Sequence, residues 1–243
     1  MANDNQAVQD IQDSIAQAAQ HSGRKAEDIT LVAVSKTKPI EDIITAYEAG
    51  VRHFGENRSE ELTEKAEALS HLTDLKWHFI GHLQSRQSQP ISQYAHYFHT
   101  VDRTKIAKTL SAQLVELKRD LPVFIQVNVS GEESKGGFAC ENWATDSQQV
   151  DELVNSIKEI DALPNIEVLG LMTMAPFNAP EETLRPIFKN LAGLSARLQE
   201  KLPEMSAQQL SMGMSGDFEI AIEEGATLVR IGSAIFGQRT KKP

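Results

Sequence analysis

Two kinds of apolar pattern take turns along this chain. Short, nearly continuous apolar runs with strand character occur at "ITLVAVS", "VRHFG", "WHFIG", "YFHTVD", "PVFIQVNV", "IEVLGLMT", "QQLSMG" and "LVRIG". Most are followed by a stretch with the 3.6-residue period of an amphipathic helix. Ile40–Ala49 is the first of these. Leu62, Ala66 and Leu69 mark the second, and a weaker, polar stretch after Gln84 the third. Ile106, Leu110 and Leu114 mark the fourth, and Val150, Leu153, Val154 and Ile157 the fifth. Leu184, Ile187, Leu191 and Leu198 mark the sixth, and Phe218–Glu224 is a short seventh. Ahead of them all, Asn3–His21 carries Val8, Ile11, Ile15 and Ala18 at helical spacing and stops near Gly23.

Eight strands alternating with helices imply a parallel sheet, and eight is the number that closes a (β/α)8 TIM barrel. The structural rival is an open doubly wound sheet, which usually uses fewer strands. No linker, low-complexity tract or composition break divides the chain, so 1–243 reads as one domain. Residues 1–28 supply an extra N-terminal helix and its connection, 29–237 the barrel, and 238–243 a tail. One segment departs from this compact pattern, the long Gly-rich loop "SGEESKGGFACENWATDS" at Ser130–Ser147. Long loops in compact domains are usually functional or mobile.

Composition narrows the partners. The 243 residues include 34 acidic and 24 basic side chains, a net charge of −10, which argues against nucleic acid or an anionic membrane as main partner. A local basic pocket for one phosphate is compatible with it. The single cysteine, Cys140, rules out an intrachain disulfide and a cysteine-based zinc site. The opening "MANDNQAVQDIQDSIAQ" is acidic and lacks an apolar secretory core. No apolar run approaches the ~20 residues of a membrane span. A cytoplasmic location is therefore expected.

In such a barrel the active-site residues sit at the C-terminal strand ends. Read in order, these ends are Ser35–Lys36, Gly55–Glu56–Asn57–Arg58, Gly81–His82, Asp102–Arg103, Asn128, Thr173, Ser211–Met214 and Arg230–Ser233. Lys36 ends "LVAVSK", and Val32, Val34 and Lys36 share one face by the period of two. A lumenal ammonium is costly to desolvate and lowers its pKa in response, which makes it a nucleophile. A lysine snorkelling to water at a strand end is the plain alternative. "MGMSG" and "RIGSAIFG" follow the seventh and eighth strands, where barrels often bind phosphate. Ser215, Gly232 and Ser233 would form that cradle, although a helix cap and a tight turn explain each alone. Arg230 shares the lumenal face with Gly232. It needs a partner, either Glu219, Glu223 or Glu224, or a ligand atom. His78 and His82 are four apart, but on a strand and a turn, so they do not face one metal as they would on a helix. Cys140 has no evident base partner. A lumenal lysine opposite a phosphate cradle suits a phosphorylated aldehyde such as pyridoxal 5′-phosphate (PLP), or a sugar phosphate cleaved through a lysine imine.

Taken together, "LVAVSKTKP", "HFGENR", "WHFIGHLQSRQ", "HTVD", "VFIQVNVSGEESKGGF", "LGLMTMAP", "LSMGMSGDFEIAIEEG" and "VRIGSAIFG" resemble the pyridoxal phosphate homeostasis proteins. They run in that family's order and cover about Ile29 to Gly237. The resemblance implies a single TIM barrel similar to the N-terminal domain of alanine racemase. It implies PLP as cofactor, held as a covalent imine at Lys36. Asn57 would lie beside the cofactor, Ser215, Gly232 and Ser233 would hold its phosphate, and Arg230 would face its pyridine nitrogen. Ser233 stands where threonine is common and Gly216 where an acidic residue is common, and neither change removes a backbone N–H. Arg58 falls at a variable position and carries no assignment.

The implied role is carrier and regulator in intracellular vitamin B6 and amino-acid homeostasis, with no settled catalytic activity. PLP-dependent apoenzymes are the implied recipients, and a monomer is expected. An arginine at the pyridine nitrogen opposes ring protonation and weakens the electron sink that PLP enzymes use. None of Tyr47, Tyr94 and Tyr97 falls at the C-terminal end of a predicted strand, and the chain stops six residues after Gly237. A second base and a second domain like those of alanine racemase are thus not expected. The enzyme alternative is a PLP-dependent amino-acid racemase or lyase, and a sugar-phosphate lyase using Lys36 is a third reading.

Overall fold

Alternation along each strand decides which side chains meet inside this protein. The computed structural model describes residues 2–132, 135–205 and 207–238. Its strands are β1 (Thr30–Val34), β2 (His53–Glu56), β3 (Lys76–Phe79), β4 (Tyr97–Val101), β5 (Leu121–Asn128), β6 (Phe138–Ala139), β7 (Ile166–Met172), β8 (Gln209–Met214) and β9 (Leu228–Ile231). All pairings are parallel. The order β4-β3-β2-β1-β9-β8-β7-β5 is closed by the β4–β5 pair, giving an eight-stranded barrel. The eight apolar runs of the sequence are these eight strands. The two-residue β6 is an addition: it lies in the Gly-rich loop and pairs with the end of β5. It is too short to show any period.

The helices between them are α2 (Ile40–Glu48), α3 (Ser59–Ala68), α4 (Ser88–Tyr94), α5 (Thr104–Leu117), α6 (Ser147–Asp161), α7 (Glu181–Lys201) and α8 (Phe218–Glu223). The extra helix α1 (Ala2–His21) packs on α2, α8 and a last short helix, α9 (Ser233–Phe236). Its buried Val8, Ile11, Ile15 and Ala18 are the stripe read from the sequence. No helix among the described residues is long and apolar enough to cross a membrane. Positions 239–243 of the tail lie outside the described residues.

Outward-facing side chains such as Ala33, Phe54, Trp77, Phe79, Phe98, Ile125, Met212 and Ile231 fill the layer between strands and helices. Burying each of the large ones is worth about 1.5–3 kcal/mol. The opposite faces meet in the lumen, where Val32, Phe124, Met172 and Leu228 form a small separate apolar cluster. The lumen has polar company. His78, His99, Ser211 and Arg230 alternate with outward-facing neighbours on β3, β4, β8 and β9, and all four are buried. That composition is unusual, since barrel interiors are mostly filled by branched aliphatics.

Candidate functional site

Lys36 lies just past β1 in the turn Ser35–Lys38, closed by the Lys38 N–H donating to the Ser35 carbonyl at 3.0 Å. Its side chain is half-buried. Both neighbours are clamped from α3. Lys65 Nζ donates to the Ser35 carbonyl (2.8 Å), to Glu56 Oε1 (2.8 Å) and to Glu61 Oε2 (3.2 Å). The Ser35 hydroxyl donates to Glu56 Oε1 at 2.6 Å. The Thr37 N–H donates to Glu61 Oε2 at 2.6 Å. Thr37 has φ 63°, a left-handed conformation that a β-branched residue adopts only when its surroundings impose it. The network thus fixes the backbone on each side of Lys36.

Glu56 and Lys65 are buried in the strand–helix layer, outside the lumen. Burial pushes the Glu56 carboxyl up, with Lys65 and Ser35 pulling it back. Its second oxygen, Oε2, meets no donor among the described residues. At Glu61 burial also works upward. The bonds from Thr37 and Lys65 outweigh it and hold this carboxyl below its ordinary value.

The phosphate-cradle candidates converge on the same rim. Ser215 Oγ accepts from the N–H groups of Gly232 (3.1 Å) and Ala234 (3.4 Å). Gly232 presses on the end of β1, where an added Cβ would sit 3.2 Å from the Val34 carbonyl oxygen. A side chain here would make Val34 give by a few tenths of an ångström, so glycine suits the close approach of this turn to the end of β1. Lys38 Nζ donates to the Phe236 carbonyl and ties the two segments again. Gly232 is half-buried and Ser233 and Gly216 are exposed, so the turn opens to solvent. Asn57, half-buried, follows β2, and its backbone abuts Gly81 after β3. A Cβ on Gly81 would sit 2.2 Å from the Asn57 carbonyl oxygen.

Arg230 points into the lumen and is 4% exposed. Nη1 donates to Ser211 Oγ (2.6 Å) and Nη2 to the Thr173 carbonyl (2.9 Å). None of the carboxylates the sequence offered as partners is bonded to it. Glu223 and Glu224 hold Arg185, because α8 and α7 lie outside the barrel wall. Glu219 is exposed on α8. Burial brings the guanidinium down to about 10, with Asp217 acting in the other direction. The two bonds use two of its five N–H donors.

Other residues read from the sequence lie elsewhere. Cys140 is buried, its thiol pushed up to about 12 by burial, which leaves it inert as a nucleophile. His78 faces the lumen, while His82 leaves the strand and meets Asp102 at 3.0 Å. The hydroxyls of Tyr47 and Tyr94 bond Asp74 and Glu67, and Tyr97 starts β4 at its N-terminal end. Asn128 organises the Gly-rich loop by accepting from the Ser130 and Gly131 N–H groups. Sequence reasoning assigned no role to Glu56, Glu61, Lys65, Thr173, Ser211 or the lumenal histidines. The one available signal was a polar residue inside an otherwise apolar strand, as at His78, His99 and Ser211.

A closed parallel barrel with a lysine after its first strand and a Gly/Ser turn after its last defines a class, the alanine racemase N-terminal domain. The family model of that description matches residues 7–240. Within the class, the chain belongs to the pyridoxal phosphate homeostasis protein family. It is 41% identical to the Vibrio alginolyticus member over 98% of this chain and 99% of that one. It is 41% identical to the Escherichia coli member over 94% of each. Among solved structures, it is similar to PipY of Synechococcus elongatus with PLP bound, at 32% identity and TM-score 0.78, covering 92% of this chain and all of that one. Alanine racemase of Clostridium difficile shares the fold, with TM-score 0.67 at 16% identity.

Proposed function

We propose that this protein binds PLP at the C-terminal rim of the barrel, holds it covalently through Lys36, and serves intracellular PLP homeostasis as a carrier. The observation that carries the reading is the packing of Gly232 against Val34. It puts the Ser215–Gly232–Ser233 turn beside the end of β1, two residues before Lys36. The residues fit the cofactor's chemistry at each end. The Lys36 amine condenses with an aldehyde, losing one water, and forms the imine. The turn offers hydroxyls and backbone N–H groups to a phosphate. Arg230 presents a buried cation, with no carboxylate at ion-pair distance among the described residues, where a pyridine nitrogen would lie. PLP, when bound, supplies an electrophilic carbon and a ring that withdraws electrons. A cation facing the ring nitrogen disfavours its protonation and keeps that withdrawal weak. Holding the cofactor without consuming it follows from that.

The test is covalent capture. Protein loaded with PLP and treated with borohydride should carry the cofactor on Lys36, seen by peptide mass spectrometry. Lys36→Ala should lose both the label and the visible imine absorbance. Attachment at Lys38 or Lys135 in the wild-type protein would reject the assignment. Equal affinity for PLP and unphosphorylated pyridoxal would reject the cradle.

A further inference from the structure

A line of buried polar groups crosses the barrel below the candidate site. His53 Nδ1 lies 2.8 Å from His78 Nε2, His78 Nδ1 lies 2.8 Å from His99 Nε2, and His99 Nδ1 lies 2.8 Å from Ser211 Oγ. Arg230 then donates to the same Ser211 oxygen. His53 begins β2 and is half-buried, so the line starts at the N-terminal mouth of the barrel. His78, His99 and Ser211 are fully buried.

Donor and acceptor chemistry orders this line. Arg230 can only donate, so Ser211 Oγ accepts from it. The serine hydroxyl has one hydrogen, and His99 Nδ1 stands at bonding distance to take it. His99 then carries its hydrogen on Nε2 and donates to His78 Nδ1. His78 likewise donates from Nε2 to His53 Nδ1. The reverse polarity would leave the hydroxyl hydrogen of a buried serine without an acceptor. Each ring must be neutral, because a protonated imidazole would bring two donors face to face. Burial favours that, holding His78 and His99 well below the ordinary histidine range and His53 below it. Every ring therefore turns its lone-pair nitrogen toward Arg230, and bonds aligned in one direction strengthen one another.

We propose that His53, His78, His99 and Ser211 are a positioning relay that holds and electrostatically supports the Arg230 guanidinium, linking the lower mouth of the barrel to the ligand site. The proposal rests on the reading that Arg230 faces bound PLP. Its motive is the missing carboxylate: a buried cation normally takes one, and a carboxylate here would also attract a proton to a nearby ring nitrogen. A neutral chain supports the cation without doing so. The charged and titratable groups around the chain are Lys76 near His53, His96 near His78, the Tyr97 ring stacked on His78 at 4.4 Å, Arg230 near His99, and Asp217 near Arg230. Lys76 and Arg230 both oppose protonation of the rings.

The experiment begins with ligand-free protein labelled with 15N-histidine. Long-range 15N–1H spectra at pH 7 should show His53, His78 and His99 as neutral Nε2–H tautomers. His78→Phe keeps a ring on Tyr97 and cuts the line, so His99 should lose its single-tautomer pattern. If His78→Phe does not fold, His53→Phe cuts the line one link further out, and the His78 tautomer becomes the reporter. Mixed tautomers in the wild type, or reporters unmoved by these cuts, would overturn the relay. The second arm reads the ring nitrogen shift of 15N-PLP in the loaded protein. Arg230→Gln and His99→Phe should move it in the same direction, and His99→Phe should weaken PLP binding by about tenfold. A shift caused by Arg230→Gln but not by His99→Phe overturns the relay and leaves the Arg230 reading standing. No shift with Arg230→Gln overturns that reading, and with it the relay's proposed role, even where the ligand-free tautomers are as expected.

Discussion

Two polar regions are buried on opposite sides of the same wall, and they are built differently. Outside β1 and β2, the Ser35–Glu56–Lys65–Glu61 network uses full charges of both signs. Inside the barrel, the His53–His78–His99–Ser211 line uses neutral rings and a hydroxyl against a single cation. The ionic region grips backbone: two of its bonds reach the Ser35 carbonyl and the Thr37 N–H. It sets a conformation. The neutral region grips a side chain, and on the proposed reading it orients a charge that stays available to a ligand. A carboxylate serves the first purpose and would defeat the second.

The largest effect expected on this contrast comes from Lys65→Met. It leaves Glu56 buried and unpaired, which costs about 3–5 kcal/mol in unfolding free energy. The double variant Lys65→Met/Glu56→Leu should recover most of that loss. Denaturant titration of both measures it. A single-variant cost below about 1 kcal/mol would mean the pair is not buried in solution, and the contrast would collapse.

Acidification should separate the lumenal histidines from Glu56 by sign. The lumenal histidines have folded pKa values below their unfolded values, so the unfolded chain takes up protons first. Stability is therefore complete above the ordinary histidine range, near pH 6.5, and falls as the pH drops below it. His96, outside the line, behaves the same way, with a pKa lowered to about 4 by burial, Lys76 and Arg119. Each such group contributes up to about 1.4 kcal/mol per pH unit. Glu56 has a raised folded pKa, so it gains stability as the pH falls through that value. The slope of unfolding free energy between pH 7 and 5 should be positive in the wild type and shallower by one histidine in His78→Phe. An unchanged slope would mean that His78 is charged in the native state.

The smallest effect is expected at the rim between them. Ser215→Ala removes the acceptor of two N–H groups that water can reach, and should cost about 0.5–1.5 kcal/mol in stability. Its larger consequence should be a reduced preference for PLP over pyridoxal, measured by titration of each into the ligand-free variant.

The barrel could be read from the sequence because parallel strands buried on both faces leave apolar runs that helices must separate. Lys36 stands out in the sequence because a charge two residues after such a run has no packing reason to be there. The clamp around it was hidden. Lys65 sits on the buried side of α3, and its helical pattern alone marks a surface lysine as readily. The histidine line was hidden for another reason. His53, His78 and His99 come from three strands, and their order in space depends on register, with His53 opposite Lys76 and His78 opposite Tyr97. No spacing in one dimension encodes that. Arg230 was read as lumenal, and its partners were missed because neither Ser211 nor a backbone carbonyl carries a charge that a sequence displays.

The closure of the barrel through β1 and β9 has a consequence for how the protein is born. β1 ends at Val34, and its partner β9 begins only at Leu228, so the N-terminal strand must wait for nearly the whole chain. At bacterial and eukaryotic synthesis rates that wait is roughly 10–40 s. Through it, α1 also lacks the surface formed by α8 and α9. The turn that packs on the end of β1 is made of the same late residues, Ser215 to Phe236. A nascent chain on the ribosome therefore has the lysine long before it has the turn proposed to hold phosphate, and truncated translation products would carry the amine without that turn.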